Sequence, residues 1–71
     1  MQRYLVVLEP TATGFSAYSP DLTGCLATGA TQPEVESNMR EAIELHLDGL
    51  RADGVPVPSG QSIATYVEVA A

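Results

Sequence analysis

The stretch that decides the fold spans residues 31–54 and reads TQPEVESNMREAIELHLDGLRADG. It begins as a capping box, in which the Thr31 hydroxyl accepts from the Glu34 amide and the Glu34 side chain reaches back. Apolar side chains then recur at helical spacing, with charged side chains on the opposite face. Gly54 follows as a residue type that commonly ends helices. The stretch predicts one amphipathic helix, whose apolar face is formed by Val35, Met39, Ala42, Ile43, His46 and Leu50, flanked by Leu45 and Leu47.

Upstream of the helix, the composition predicts three β-strands, at residues 3–9, 15–19 and 25–30. Residues 3–9 carry apolar side chains on both alternating faces, which is typical of a central strand covered on both sides. Residues 10–14 have turn chemistry, so the first two strands are predicted to form an antiparallel hairpin. Residues 20–24, with proline, aspartate and glycine, predict a defined connection to the third strand.

A last strand is predicted over residues 63–69, after a proline-rich connector. A right-handed crossover through the helix would let this strand pair parallel to the first one. The predicted fold is therefore α+β, with element order β-β-β-α-β, a four-stranded mixed sheet of strand order 3-2-1-4, and one helix on one face. The other face, near Leu5, Val7, Tyr18 and Tyr66, is left for another surface to cover. Residues 1–71 are predicted to form a single domain.

The composition points away from nucleic acids and membranes. The net charge is −6, with nine acidic residues and three arginines, whereas phosphate binding needs clustered Lys or Arg. A basic protein is a better match for this charge. The single cysteine allows no internal disulfide, which suits a reducing cytoplasm. The apolar run at residues 5–8 is too short for a signal peptide or a membrane span.

Residues with catalytic or metal-binding chemistry are few. His46 lies in the predicted apolar face, where a lone histidine is more often a packed ring than a base or a ligand. Cys25 follows a glycine turn and does not open a helix, so it lacks the setting of an activated thiol. Glu41, Glu44 and Asp48 lie on the solvent face of the helix, and no phosphate-binding loop is present. We expect no catalytic residue, metal site or cofactor, while an enzyme using Cys25 and His46 stays open as an alternative.

One stretch, AYSPDLTGC at residues 17–25, places a tyrosine, an aspartate and a leucine on a stiff turn at the edge of the sheet. Loops carry function more often than core positions do. Two interpretations are open: the turn contacts a partner, or Asp21 shapes the turn while Leu22 folds back onto the core.

The same stretch carries a family resemblance. The motifs YSPDLTGC at residues 18–25, TGAT at residues 28–31 and AIELHL at residues 42–47 resemble, in order and spacing, those of the HicB antitoxin family. The resemblance implies a partial ribonuclease-H-like fold without that enzyme's catalytic acids. It also implies a partner, the HicA toxin, which is a small basic ribonuclease with a catalytic histidine, and assembly into dimers or tetramers.

Three departures from the family pattern limit what can be transferred. Thr23 stands where proline is usual, and Ala30 stands where aspartate is usual. Family members that repress their own operon carry a further C-terminal DNA-binding segment. This sequence ends at Ala71, so direct DNA binding is not expected.

The leading hypothesis is an antitoxin-like protein of a type II toxin–antitoxin system. It is expected in the cytoplasm, is not an enzyme, and binds and blocks a HicA-like ribonuclease toxin. The residues expected to contact the partner are Tyr18, Asp21, Leu22 and Thr23. The alternative is a self-assembling scaffold or ligand-binding module with no toxin partner, because a bare sheet face also favours self-association.

Overall fold

The computed structural model describes residues 2–71; Met1, which the sequence assigns to the same domain, lies outside the described residues. The elements follow the order β1 (Val7–Thr11), β2 (Gly14–Ser19), β3 (Leu22–Gly29) and α1 (Gln32–Ala52). The strands form a sheet of order β1-β2-β3, in which both neighbouring pairs are antiparallel. The helix packs on one face of this sheet, and the core lies between the two layers.

Two tight turns connect the three strands. Thr11 pairs with Gly14 and Val7 pairs with Tyr18, so only residues 12–13 separate β1 from β2. β1 contains Pro10, which has no amide to donate and is tolerated because β1 is an edge strand. The predicted hairpin is confirmed, although both strands extend into the loop that the sequence predicted.

The helix begins and ends as its sequence predicts. The Glu34 amide donates to the Thr31 hydroxyl over 3.3 Å, and the Glu34 carboxylate accepts from the Ala30 amide over 3.1 Å. Asp53 caps the other end, and Gly54 follows with a φ of +70°. These contacts satisfy amides and carbonyls that a helix leaves unpaired at its termini. In the described part of the chain, no helix is both long and apolar enough to cross a membrane.

A small core holds the helix against the sheet. The buried apolar side chains are Ala17, Leu22, Cys25, Val35, Met39 and Leu47. The Asn38 side chain also ties the helix to β3, because its amide nitrogen donates to the Thr28 carbonyl over 2.8 Å. β3 ends at Gly29, where a Cβ atom would lie 2.6 Å from the Val35 nitrogen. Glycine at this position therefore lets the strand approach the first turn of the helix closely.

The predicted four-stranded mixed sheet of order 3-2-1-4 is wrong. The described residues form a three-stranded antiparallel sheet, and β1 is an edge strand and not a central one. Residues 63–69, the predicted last strand, lie outside the sheet. The physical reason is the path of the chain after the helix. Gly60 packs against the backbone of Arg3, and Asp21 in the β2–β3 turn then binds Ser62, so the chain does not follow β1.

Candidate protein-binding surface

The connection between β2 and β3 combines a turn with a bulge. Residues 20–21 form the turn, and Ser19 pairs with Leu22 across it. The next pair joins Tyr18 to Leu26, so residues 23–25 have no counterpart on β2. Gly24 lies in this bulge with a φ of +82°, a left-handed conformation that favours glycine. Bulges redirect side chains. In this bulge Thr23 is exposed, whereas Leu22 and Cys25 on either side are buried.

A row of apolar side chains crosses the sheet on the face opposite the helix. Val7, Tyr18 and Leu26 lie directly opposite one another on the three strands, and we call them the outer row. Neighbouring residues on a strand point to opposite faces, and the adjacent Ala17 is buried under the helix. Tyr18 and Leu26 are exposed, and Leu26 is exposed to 68%. An exposed tyrosine beside an exposed leucine is a surface typical of protein recognition.

Asp21 fixes the position of the C-terminal part of the chain. Its carboxylate accepts hydrogen bonds from the Gln61 amide (3.1 Å), the Ser62 amide (3.1 Å) and the Ser62 hydroxyl (2.9 Å). The Ser62 amide is the largest cause that lowers the pKa of Asp21. Partial desolvation opposes this shift, and the Ser62 hydroxyl and the Gln61 amide add to it. The aspartate is therefore held as an anion that joins two distant segments of the chain.

The structure places the four predicted contact residues in two different environments. Tyr18 and Thr23 are exposed, whereas Leu22 is only 1% exposed and fills the core. Asp21 is half-buried and bonded to residues 61–62. The sequence interpretation did not include Leu26, which stands beside Tyr18. Its position between two inward-facing residues of β3 was the signal that could have revealed it.

The environment of Cys25 does not favour a nucleophile. The side chain is buried, and burial raises the pKa of its thiol above the ordinary value, so the neutral form is stabilised. His46 lies half-buried on the helix. Among residues 2–71, no three His, Cys, Asp or Glu side chains are grouped as a metal site would require.

The solvent face of the helix is acidic. Five of the nine acidic residues lie between Gln32 and Ala52, together with two of the three arginines. One of these arginines, Arg51, pairs with Asp48 over 3.3 Å in an exposed ion pair. Exposed pairs of this kind contribute little to stability. The acidic side chains therefore give this face of the helix a negative surface potential.

An open groove of about 850 Å³ runs between the N-terminal part of the chain and the helix. We call it the sheet–helix groove. Its apolar floor is formed by Tyr4, Val6, Leu8, Met39, Ile43 and Leu47. Polar and charged side chains border it, at Gln2, Gln32, Glu36, Arg40 and Glu44. An apolar floor with a polar border is typical of a site that receives another polypeptide segment.

Several proteins are similar to this chain along most of its length. A UPF0150 protein of Helicobacter pylori strain J99 is 37% identical over 65 residues, which cover 90% of this chain and 90% of that protein. A UPF0150 protein of Synechocystis is 43% identical over 67 residues, covering 93% and 85% of the two chains. An uncharacterized 14.9 kDa protein from the rep-hol intergenic region of Haemophilus phage HP1 is 31% identical over 64 residues. This chain spans 48% of the length of the phage protein.

A solved structure and a family model point to the same group of proteins. A chain of the HicA3 and HicB3 toxin–antitoxin complex matches this fold with a TM-score of 0.73 and 33% sequence identity. The match covers 84% of this chain and 70% of that chain. The family model for the HicB-like antitoxin of bacterial toxin–antitoxin systems matches residues 4–70. The resemblance read from the motifs at residues 18–25, 28–31 and 42–47 is thereby confirmed, and the chain belongs to the HicB-like antitoxin family.

Proposed function

We propose that this protein is an antitoxin that binds and blocks a small basic ribonuclease toxin of the HicA type. The observation that carries the proposal is the match, at 33% identity and a TM-score of 0.73, to a chain of a solved toxin–antitoxin complex. Membership of the HicB-like antitoxin family supports the same role. The antitoxin acts by occupying the toxin's surface, and it needs no catalytic residue of its own.

The charge of the domain supports a basic partner. At a net charge of −6, with acidic side chains concentrated on the helix, the protein attracts a positively charged toxin before contact. Charge attraction of this kind acts mainly on the association rate and weakens as salt is added. As ionic strength rises, the association rate constant for the toxin should therefore fall, and it should change more than the dissociation rate constant does.

The outer row and the bulge beside it supply the direct contacts. Tyr18 and Leu26 offer exposed apolar surface, and Thr23 stands next to them on the bulge. Large amphipathic side chains such as tyrosine often carry a major share of binding energy at interfaces. Asp21 and Leu22 support the same contact indirectly. Leu22 anchors the turn in the core, and Asp21 bonds the turn to the Ser62 amide.

The proposal assigns the protein to the cytoplasm and gives it no direct contact with DNA. A buried free cysteine suits a reducing compartment. Three arginines and no lysine supply too few cations to neutralise a row of phosphates. The high pKa of the Cys25 thiol likewise gives no support to an enzyme that uses this residue.

The direct test uses a small basic ribonuclease of the HicA type, sought first in the reading frames beside this gene. The two purified proteins are mixed, and complex formation and ribonuclease activity are measured together. The proposal expects a stable complex and loss of ribonuclease activity at equal amounts of the two proteins. A toxin that stays fully active and elutes alone would refute it.

A matched pair of exposed leucines then tests the contact surface. Leu26 is 68% exposed on the sheet and Leu45 is 73% exposed on the helix. Leu26→Ser and Tyr18→Ser should each weaken toxin binding by about 2 kcal/mol, roughly thirtyfold in Kd. Leu45→Ser should leave Kd unchanged within about threefold, the range of ordinary surface changes. If Leu45→Ser weakens toxin binding and the two sheet variants do not, the toxin contact lies on the helix and the proposed antitoxin function still holds.

A further inference from the structure

The C-terminal segment, defined as residues 63–71, belongs to no helix or strand, and each of its residues is exposed. Ile63 is 91% exposed, and Val67 and Val69 are each 78% exposed. The whole chain exposes 5519 Å² of surface, whereas a folded monomer of its mass is expected to expose about 4,200 Å². Exposed apolar surface of this extent indicates a place where another molecule binds.

The sequence of the segment favours an extended strand. β-Branched residues, which are enriched in strands, recur at every second position. They are Ile63, Thr65, Val67 and Val69. Successive side chains of a strand point to opposite faces, so these four share one face, and we call it the β-branched face. A segment with one such face and an unpaired backbone has what is needed to add as a strand to the exposed sheet edge of a partner.

Three contacts fix the chain just before the segment begins. Val57 packs against the core, and the Tyr4 hydroxyl donates to the Pro58 carbonyl over 2.6 Å. The Asp21 carboxylate then accepts from the amides of Gln61 and Ser62. The segment therefore leaves the domain from a fixed point. Fixing one end in advance reduces the conformational freedom that the segment loses when it binds.

The fixed point lies beside the surface that is proposed to contact the toxin. Asp21 belongs to the β2–β3 turn, three positions after Tyr18 and two before Thr23, and both of these are exposed. Nine extended residues reach about 30 Å, which is about the diameter of a small domain. One partner can therefore contact the outer row and the C-terminal segment at the same time.

Charge indicates which partner the segment fits. Residues 63–71 contain one acidic residue, Glu68, and neither lysine nor arginine. A second copy of the chain would bring another net charge of −6 toward the first, and like charges disfavour that approach. A basic protein is attracted instead. The charge of the segment and of the domain thus selects the same class of partner.

We propose that the C-terminal segment adds as a β-strand to an exposed sheet edge of the basic ribonuclease toxin, with Asp21 holding its first residues beside the outer row. This inference rests on the proposed antitoxin function and extends the contact beyond the outer row. The β-branched face packs on the toxin, while the opposite face, which carries Ala64 and Ala70, stays in solvent. Asp21 is a positioning residue, because it acts through the segment and does not touch the toxin itself.

The first test compares two double variants that add the same charge to opposite faces. Val67→Asp with Val69→Asp changes the β-branched face, and Ala64→Asp with Ala70→Asp changes the solvent face. All four positions are exposed and lie outside the helix and the sheet. Both variants should therefore fold, which circular dichroism verifies. The Kd for a purified HicA-type ribonuclease is then measured by titration calorimetry.

We expect the valine double variant to bind at least about a hundredfold more weakly than wild type, since each buried valine contributes roughly tenfold or more to Kd. The alanine double variant should bind within about threefold of wild type. Amide exchange of residues 63–69 in the wild-type protein should slow when the toxin is added. Exchange in the protein alone should be fast and independent of its concentration.

The second test asks whether Asp21 acts through the segment. Asp21→Ala should weaken toxin binding roughly tenfold, because an unanchored segment loses more freedom on binding. In the background of the valine double variant, the same substitution should change Kd by less than about threefold. A general structural effect of Asp21→Ala would weaken binding equally in both backgrounds, and that result overturns the positioning role.

The remaining outcomes separate this inference from the proposed function. A wild-type protein that forms no complex with the toxin overturns both. Wild-type binding that the valine double variant leaves unchanged, or that the alanine double variant weakens equally, overturns the segment contact alone. Slow exchange of residues 63–69 in the absence of toxin also overturns it. In that case the segment is covered by its own domain or, if exchange slows further with concentration, by a second copy.

Discussion

Replacement of Leu22 by alanine tests whether this residue supports the contact surface from inside the core. Leu22 is 1% exposed, and Leu26, four positions along the same strand, is 68% exposed. The same substitution, leucine to alanine, can therefore be made at a buried and at an exposed position of one element. The two variants separate a structural role from a contact role within β3.

The size of the effect follows from burial. A leucine-to-alanine change in a core costs about 2–5 kcal/mol, because apolar contacts are lost and a cavity remains. A chain of 71 residues is expected to have a total stability of about 4–11 kcal/mol. A loss of about 3 kcal/mol should lower Tm by roughly 12–24 °C in a domain of this size. Leu26→Ala should change stability by less than about 0.5 kcal/mol.

The assay is urea and thermal unfolding followed by circular dichroism, with both variants at one protein concentration, since self-association would add to stability. Toxin binding is then measured at a low temperature at which Leu22→Ala is still folded. We expect near-normal binding for Leu22→Ala and weakened binding for Leu26→Ala. Equal stability losses in the two variants, or a selective binding defect in folded Leu22→Ala, would refute the assignment of Leu22 to the core.

Three further predictions concern backbone space and titration. Gly29→Ala should destabilise the protein by about 1–3 kcal/mol, because the added methyl group would overlap the helix backbone. Gly49→Ala, which has open space around it, should stabilise the protein by about 0.5–1 kcal/mol. Urea unfolding measures the stability of both variants. Because the pKa of Asp21 is lowered from 3.8, its contribution to the free energy of unfolding is present at neutral pH and is lost as pH falls through the lowered pKa. Amide exchange at Ser62 should therefore accelerate in acid before exchange in the core does. Equal acceleration in Asp21→Asn would contradict this prediction. The pKa of Cys25 is raised from 9.0, so its stabilising contribution is present below pH 9 and declines above it, and alkylation of the thiol in the folded protein should be much slower than in urea.

The helix illustrates what local sequence can predict. The capping contacts of Thr31 and Glu34 involve residues three positions apart, so their geometry depends on little beyond the local chain. Gly54 ends the helix for a similarly local reason. The β1–β2 hairpin is also local, because a short turn leaves its two strands few other partners.

The candidate surface was only partly predictable. Tyr18 and Thr23 were identified from their turn, but the bulge that separates Leu22 from Leu26 depends on how β3 pairs with β2. Without that register, the two leucines of β3 cannot be assigned to the inside or the outside of the sheet. Similarly, no local pattern indicates that Asp21 binds the backbone of Ser62, forty-one positions away.

The sequence by itself determined the helix, the order of the first three strands, the acidic charge and membership of the HicB-like antitoxin family. Only the tertiary structure decided which strand lies at the edge of the sheet, which leucine is buried and where residues 63–71 go. Alternating apolar residues show that a segment can form a strand, but they do not select the surface that covers it. That selection was made by contacts between distant residues, above all by Asp21, whose carboxylate accepts from the Ser62 amide.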